Sequence, residues 1–429
     1  MQYTFTHEPI GEGMELCVTR ADGFRTACVT ATFRLPLGDE AALFALLPGV
    51  LTHSCEKYPS MAALEKKLAL LYGAEITDSV TKSGEDQVIA VGVSCIDDRF
   101  ALDGEPIVAS CAELLMELLF RPLLKDGAFD PDTVESEKRM LCERLDAEKS
   151  DKRLYAAGRC EQIMCADEAY GLNRLGTREA IRAVTPAALT EAYRTLLREA
   201  PVFFSVAGSG GADGLKALIA DYTRGLSREI VTGDTVYVER AEDVTDVRET
   251  EPVKQGKLVL GFRAGMTGPG DNYSARRVMV DLFGGGVSSK LFRNVREKQS
   301  LCYYCSARLY RRKGIILVQS GIETSNEQVA REAILAELQA VRDGDFTDDD
   351  IAACVKSLED GFRSVEDSPE ALDLWFVSQR LIGENYTPEE FVRGFRAVTR
   401  DEIIAAARDV TLDTVFMLAS SGEGGEQDA

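Results

Sequence analysis

Short apolar runs and helical stripes take turns along this chain. Positions 27–33 are almost continuously apolar and read as a strand, and 39–51 carry apolar residues at helical spacing. Ser60 is placed to cap a helix whose stripe is Leu64, Leu68 and Leu71 and which stops near Gly73. Segments 74–82 and 88–95 read as a hairpin joined through Ser83-Gly84-Glu85-Asp86. Pro106 opens a helix that sets Ile107, Val108, Cys111, Leu114, Leu115 and Leu118 on one face. Further helices are predicted over 132–147 and from Thr185-Pro186 onward. The second half repeats the alternation, with a strand at 257–262, a helix at 275–283, strands around 303–309 and 314–322, and a helix at 328–343.

The resemblance between halves extends to residues. Ile181-Arg182-Ala183-Val184-Thr185 returns as Phe395-Arg396-Ala397-Val398-Thr399, and each copy precedes an apolar run, from Val202 and from Val415. Phe129-Asp130-Pro131-Asp132 is echoed by Phe346-Thr347-Asp348-Asp349, and Phe33-Arg34 by Phe262-Arg263. Four matches in one order, each about half a chain length apart, indicate a duplicated domain. The expected fold is α+β, with two homologous domains, each a mostly antiparallel sheet with helices on one face. The first domain is placed at 1–226 and the second at 254–429. Between them, 227–253 is rich in Glu, Asp, Thr and Val, lacks a helical stripe and reads as a solvated linker.

A length of 429 residues suits two domains. The net charge of −22, from 71 acidic and 49 basic residues, disfavours phosphate backbones and anionic membranes, so neither nucleic acid nor membrane is an expected partner. No apolar run approaches the roughly 18–20 residues that span a bilayer. The first residues lack a basic head and an apolar stretch, so a cytoplasmic location is expected. The 11 cysteines are scattered through apolar runs and read as reduced core thiols.

Chemistry is constrained by the histidine count. The chain has 2 histidines, His7 and His53, far apart in sequence, so no pair of imidazoles is spaced along one helix to share a zinc ion. Serine or cysteine hydrolysis would also need an imidazole base close by. His53-Ser54-Cys55-Glu56 reads as a surface loop. Cys302-Tyr303-Tyr304-Cys305 falls in a predicted strand, where residues three apart face opposite sides, so the thiols are not expected to meet. Gly284-Gly285-Gly286 lacks the ending of a phosphate loop and reads as a place of close packing.

One stretch is more specific. Phe283-Gly284-Gly285-Gly286-Val287-Ser288-Ser289-Lys290-Leu291-Phe292, then Arg296-Glu297-Lys298 and Tyr303, resembles the second-domain signature of the insulinase-type (M16) metallopeptidases. Lys57-Tyr58-Pro59-Ser60 and Leu71-Tyr72-Gly73-Ala74 are similar to the segment that follows the zinc helix of that family. The resemblance spans nearly the whole chain, duplication included, and implies the insulinase/mitochondrial-processing-peptidase (LuxS/MPP-like) fold.

The departures matter as much. Aligned on Lys57-Tyr58-Pro59, the family's His-x-x-Glu-His falls on Ala45, Pro48 and Gly49, and its third ligand falls near Glu143 or Arg144. These positions imply a degenerate site, no metal and no cofactor, and hence no hydrolysis by the chain alone. What the resemblance keeps is Arg296 and Tyr303, two donors able to hold a substrate carbonyl. It implies a pseudo-peptidase that pairs with a zinc-bearing M16 homologue or with itself. Its substrate would be an extended peptide or unfolded protein segment, added to a sheet edge at 75–80 or 314–322. The rival expectation is a scaffold or interaction protein without a proteolytic role. Similar degenerate bacterial chains are associated with modification of elongation factor P.

Overall fold

The computed structural model of the protein describes residues 2–421. Its first compact unit gathers the chain up to Leu145 with Asn173–Asp234 and Ser364–Thr387. Six strands form its sheet: β1 (Tyr3–Gly11), β2 (Met14–Ala21), β3 (Thr26–Pro36), β4 (Glu75–Ser83), β5 (Asp86–Ile96) and β6 (Val202–Gly208), in the order β1-β2-β6-β3-β5-β4. The β2–β6 pair is parallel and the other pairs are antiparallel.

Period-two side-chain alternation divides the two faces of this sheet. Ala27, Val29, Ala31, Phe33 and Leu35 of β3 enter the main core with the helices Ala41–His53, Ile107–Phe120 and Pro186–Glu199. The intervening Thr30 lies opposite Ser205 of β6 and faces the other way. There the helix Pro369–Arg380 covers the sheet, and its Asp373 accepts a hydrogen bond of 2.9 Å from Ser205 Oγ. Phe376 stacks on Phe5 with ring centroids 4.0 Å apart, and Arg380 pairs with Glu15 at 2.6 Å. Burying Phe376 and Leu372 fully is worth about 2–3 kcal/mol each, which makes this helix an integral layer.

The second unit comprises Asp146–Leu172, Thr235–Arg363 and the chain from Pro388 onward. Its strands are β7 (Thr245–Glu251), β8 (Gly256–Arg263), β9 (Cys302–Tyr310), β10 (Ile315–Ile322) and β11 (Thr411–Ser420), in the order β9-β10-β8-β11-β7. Val259, Leu317, Phe416 and Leu418 pack against Ala156, Cys160 and Met164 of the helix Lys152–Met164. That helix approaches very closely: a Cβ on Gly261 of β8 would stand 2.8 Å from Met164 Sδ, so a side chain there would displace Met164. Leu258, Leu260, Val318 and Val415 are buried on the opposite face of the sheet.

Both halves of the chain thus fold as mixed α+β units, yet neither unit is one continuous run of chain. A helix from the first half covers the second sheet, and a helix from the second half covers the first. The stretch 227–253 is also more than a linker. It supplies β7, parallel to β11, with Tyr155 and Arg159 bonded to Glu249 and Arg331 to Asp246. Polar pairing holds this edge strand, which is why no apolar pattern announced it.

All eleven cysteines are unpaired and buried. Among the described residues, no helix is long and apolar enough to cross a membrane.

Candidate functional site

The helix Ala41–His53 runs through Pro48 without a break. Proline forfeits the bond to the carbonyl of Phe44, at a cost of about 3 kcal/mol. Burial of Leu46, Leu47, Val50 and Leu51 around it offsets that cost. The expected surface loop is corrected accordingly. His53 is the last helical residue, with a buried Nδ1 that has no hydrogen-bond partner, and Cys55 just beyond is wholly buried.

Ala45 and Pro48 are buried in the first core. Gly49 faces the helix Pro131–Ser150, from which Glu137 reaches across: a Cβ on Gly49 would stand 2.2 Å from Glu137 Oε2. The lack of a side chain at Gly49 is what admits this carboxylate. Desolvation raises the Glu137 carboxyl above its usual range, the His53 imidazole opposes the shift, and Asp78 on β4 adds to it. Glu143 and Arg144, further along the same helix, are exposed. Glu137 was missed in the sequence, although it lies beside the buried stripe of Val134, Lys138 and Leu141. A carboxylate next to such a stripe is the signal that could have found it.

This donor set does not fit zinc. Ala45, Pro48 and Gly49 offer no ligand atom, and one carboxylate with one imidazole falls short of the three protein ligands of a catalytic site. Among the described residues, no group of three or more His, Cys, Asp or Glu side chains is arranged to hold a metal ion.

Arg296 and Tyr303 come together in the second unit. Arg296 lies in the wide-turned helical segment Leu291–Lys298, its guanidinium 4.5 Å from the Phe292 ring and its Nε 3.5 Å from Glu297 Oε1. Tyr303 sits at the start of β9, 63% exposed, and its hydroxyl donates to Glu323 Oε1 at 3.2 Å. Both side chains line one cleft of about 410 Å³, with Cys302 and Asn326 on its walls. A cation and a phenol side by side at an open surface can donate to the carbonyls of an extended chain.

The backbone at Tyr303 is irregular. Cys302 lies opposite Ile322 and Tyr304 opposite Gly321, so Tyr303 is the extra residue of a β-bulge. The bulge overturns the expectation for the two thiols: Cys302 and Cys305 lie on the same face of β9, hydrogen-bonded to each other. Close packing does explain Gly284, since a Cβ there would meet the Ala307 backbone nitrogen at 2.8 Å.

Sheet edges also need revision. Segment 75–80 lies in β4, which is an edge strand of the first sheet. Segment 314–322 forms β10, paired on one side with β9 and on the other with β8, so it has no free edge. The edge strand on that side of the second sheet is β9 itself, the strand that carries Tyr303.

Residues 183–358 match the family described as the peptidase M16 inactive domain. The chain is 31% identical over 407 residues to the probable inactive metalloprotease YmfF of Bacillus subtilis, covering 95% of this chain and 96% of that protein. A crystal structure of a conserved protein from Enterococcus faecalis superposes with a TM-score of 0.89 at 26% identity, covering 99% of this chain and 100% of the other. A crystal structure of a peptidase M16 inactive domain from Pseudomonas fluorescens shares the fold, with a TM-score of 0.77 at 14% identity over 97% of this chain and 98% of that one.

Proposed function

The chain belongs to the peptidase M16 family, and from that premise we propose that it is a non-catalytic pseudo-peptidase subunit. It pairs with a zinc-bearing homologue or with a second copy of itself, and it helps to hold extended peptide segments. One contrast carries this reading. At Ala45, Pro48 and Gly49 the ligand positions are empty of chemistry and the space beside Gly49 is filled by Glu137, whereas Arg296 and Tyr303 share an open cleft. A chain that had lost all dealings with peptides would have no need of two donors lining a cleft beside an edge strand. Peptide backbone would add along β9 or β4, with Arg296 and Tyr303 donating to its carbonyls.

Co-expression with a zinc-bearing relative encoded nearby tests this directly. The expected result is a complex that cleaves unstructured peptides, with kcat/KM lowered roughly 10–100-fold by Arg296→Ala and by Tyr303→Phe, the range for losing a hydrogen bond worth about 1.5–3 kcal/mol. Undiminished cleavage by both variants would remove the peptide-holding role. Stable association without any peptide cleavage would favour a scaffold, including one serving elongation factor P modification.

A further inference from the structure

The bulge at Tyr303 does something the proposed function does not use. It brings two thiols, three residues apart, onto one face at the rim of a cleft. Cys302 lines that cleft with Arg296 beside it, while Cys305 lies outside its lining, opposite Ser320 of β10. The fully buried Ser320 hydroxyl lies beside both thiols and favours their ionised forms.

We propose that Cys302 and Cys305 form a reversible dithiol–disulfide site, with Cys302 as the attacking thiol, Cys305 as the resolving thiol and a hydroperoxide as the oxidant. Three features support this. First, the order of attack follows from access, because Cys302 meets the cleft and Cys305 does not. Second, the two thiols differ in acidity. The Cys305 hydrogen bond, the Ser320 hydroxyl and the Arg296 charge draw the Cys302 thiol down to about 7, against the opposing effect of burial. The same hydrogen bond, together with burial, pushes Cys305 well up. Elsewhere burial raises the thiols of Cys160 and Cys354. Third, the span is suitable. With the bulge, the cysteines stand two ladder positions apart, about 6.6 Å, near the upper end of the Cα separations a disulfide bridges. A bond at that limit is readily reduced, as a switch requires.

The step balances. The Cys302 thiolate attacks the O–O bond, giving a sulfenic acid and releasing alcohol or water. Cys305 sulfur then attacks the sulfenic sulfur, the S–S bond forms, and a water leaves carrying the Cys305 proton. The two thiols supply the two electrons that reduce the peroxide. Closure fixes the backbone on both sides of Tyr303.

The test uses the full-length protein and hydrogen peroxide. Both thiols fall in a single tryptic peptide, 299–308, which contains no other cysteine. One equivalent of peroxide should convert this peptide to a form lighter by two hydrogens, and dithiothreitol should restore it. The Cys305→Ser variant should stop at a dimedone-trappable sulfenic acid on Cys302. In the untreated wild type, Cys302 should alkylate at least about tenfold faster at neutral pH than Cys160 and Cys354. That measurement needs no variant to fold. A peptide that keeps two free thiols under peroxide, or a Cys302 that alkylates no faster than those buried thiols, overturns the site. Neither readout depends on a partner subunit or a peptide, so this proposal can fail while the pseudo-peptidase reading stands, and the reverse.

Discussion

Asp373 gives the sharpest handle on how the first unit is held together. It sits on the helix Pro369–Arg380, which comes from the second half of the chain, and it is buried against the first sheet with hydroxyl donors from Ser205 and Thr30. Among the described residues no cation compensates it: Arg380, on the same helix, is paired with Glu15, and the charge of Glu370 adds repulsion. Burial therefore lifts the Asp373 carboxyl from an ordinary 3.8 to about 7. The sign follows from proton counting. The folded state binds a proton at Asp373 that the unfolded chain has released, so the stability present below pH ~4 is lost as pH rises through ~7 and is flat above. Three pH units correspond to a loss of about 4 kcal/mol at most. Asp373→Asn keeps the shape and an acceptor for Ser205 without the charge. Relative to wild type, the variant should gain little near pH 4 and about 2–4 kcal/mol at pH 8. Urea titration at several pH values measures that difference, and hydrogen exchange over 364–387 shows whether the gain is seated in this helix. Carboxylates such as Glu168 and Asp97, held below their usual range, act at lower pH and cancel in the comparison. A difference that stays constant between pH 4 and pH 8 would refute the reasoning.

Two further outcomes concern the helix Ala41–His53. Replacing Gly49 by alanine should gain about 1 kcal/mol of helix propensity once Glu137 is removed, but not while its carboxylate occupies the site. A double-mutant cycle of Gly49→Ala with Glu137→Ala should therefore show a coupling of about 1 kcal/mol or more, and simple additivity would mean that the two residues do not compete for space. Because Ala45, Pro48 and Gly49 carry no ligand atom, neither zinc nor a chelator should shift the melting midpoint. A zinc-dependent rise in that midpoint, traced to this helix by loss in the Glu137→Ala variant, would show that the donor set had been misjudged.

Much of the scaffold was legible because it is written in local patterns. The stripe from Ile107 to Leu118 became a buried helix face, and Ser60 caps its helix by accepting from the Ala63 nitrogen at 3.3 Å. What escaped reading depends on partners distant in sequence. The stripe of Lys152–Met164 says that the helix is buried on one side, but nothing in it names a sheet in the other half of the chain as the surface. Likewise β7 alternates charged residues whose partners, Tyr155, Arg159 and Arg331, come from elsewhere, so its sequence looks like a solvated connection until they are in place.

The candidate sites divide in the same way, and here the cause is register. A strand argument sends residues three apart to opposite faces, and it holds only while the ladder is unbroken. The extra residue at Tyr303 breaks it, so Cys302 and Cys305 converge and Tyr303 itself is turned out to 63% exposure beside Arg296. Bulges add local twist and re-aim a side chain, and this one re-aims three at once. At the other site, Pro48 argues for a helix end, yet the surrounding apolar burial is worth more than the one lost backbone bond. Continuation of the helix is what carries His53 to the carboxylate of Glu137. In both places tertiary structure had more free energy at stake than the local preference did. The departure at Tyr303 falls on the residues that carry the proposed chemistry, which fits the wider tendency of functional sites to depart from local consistency.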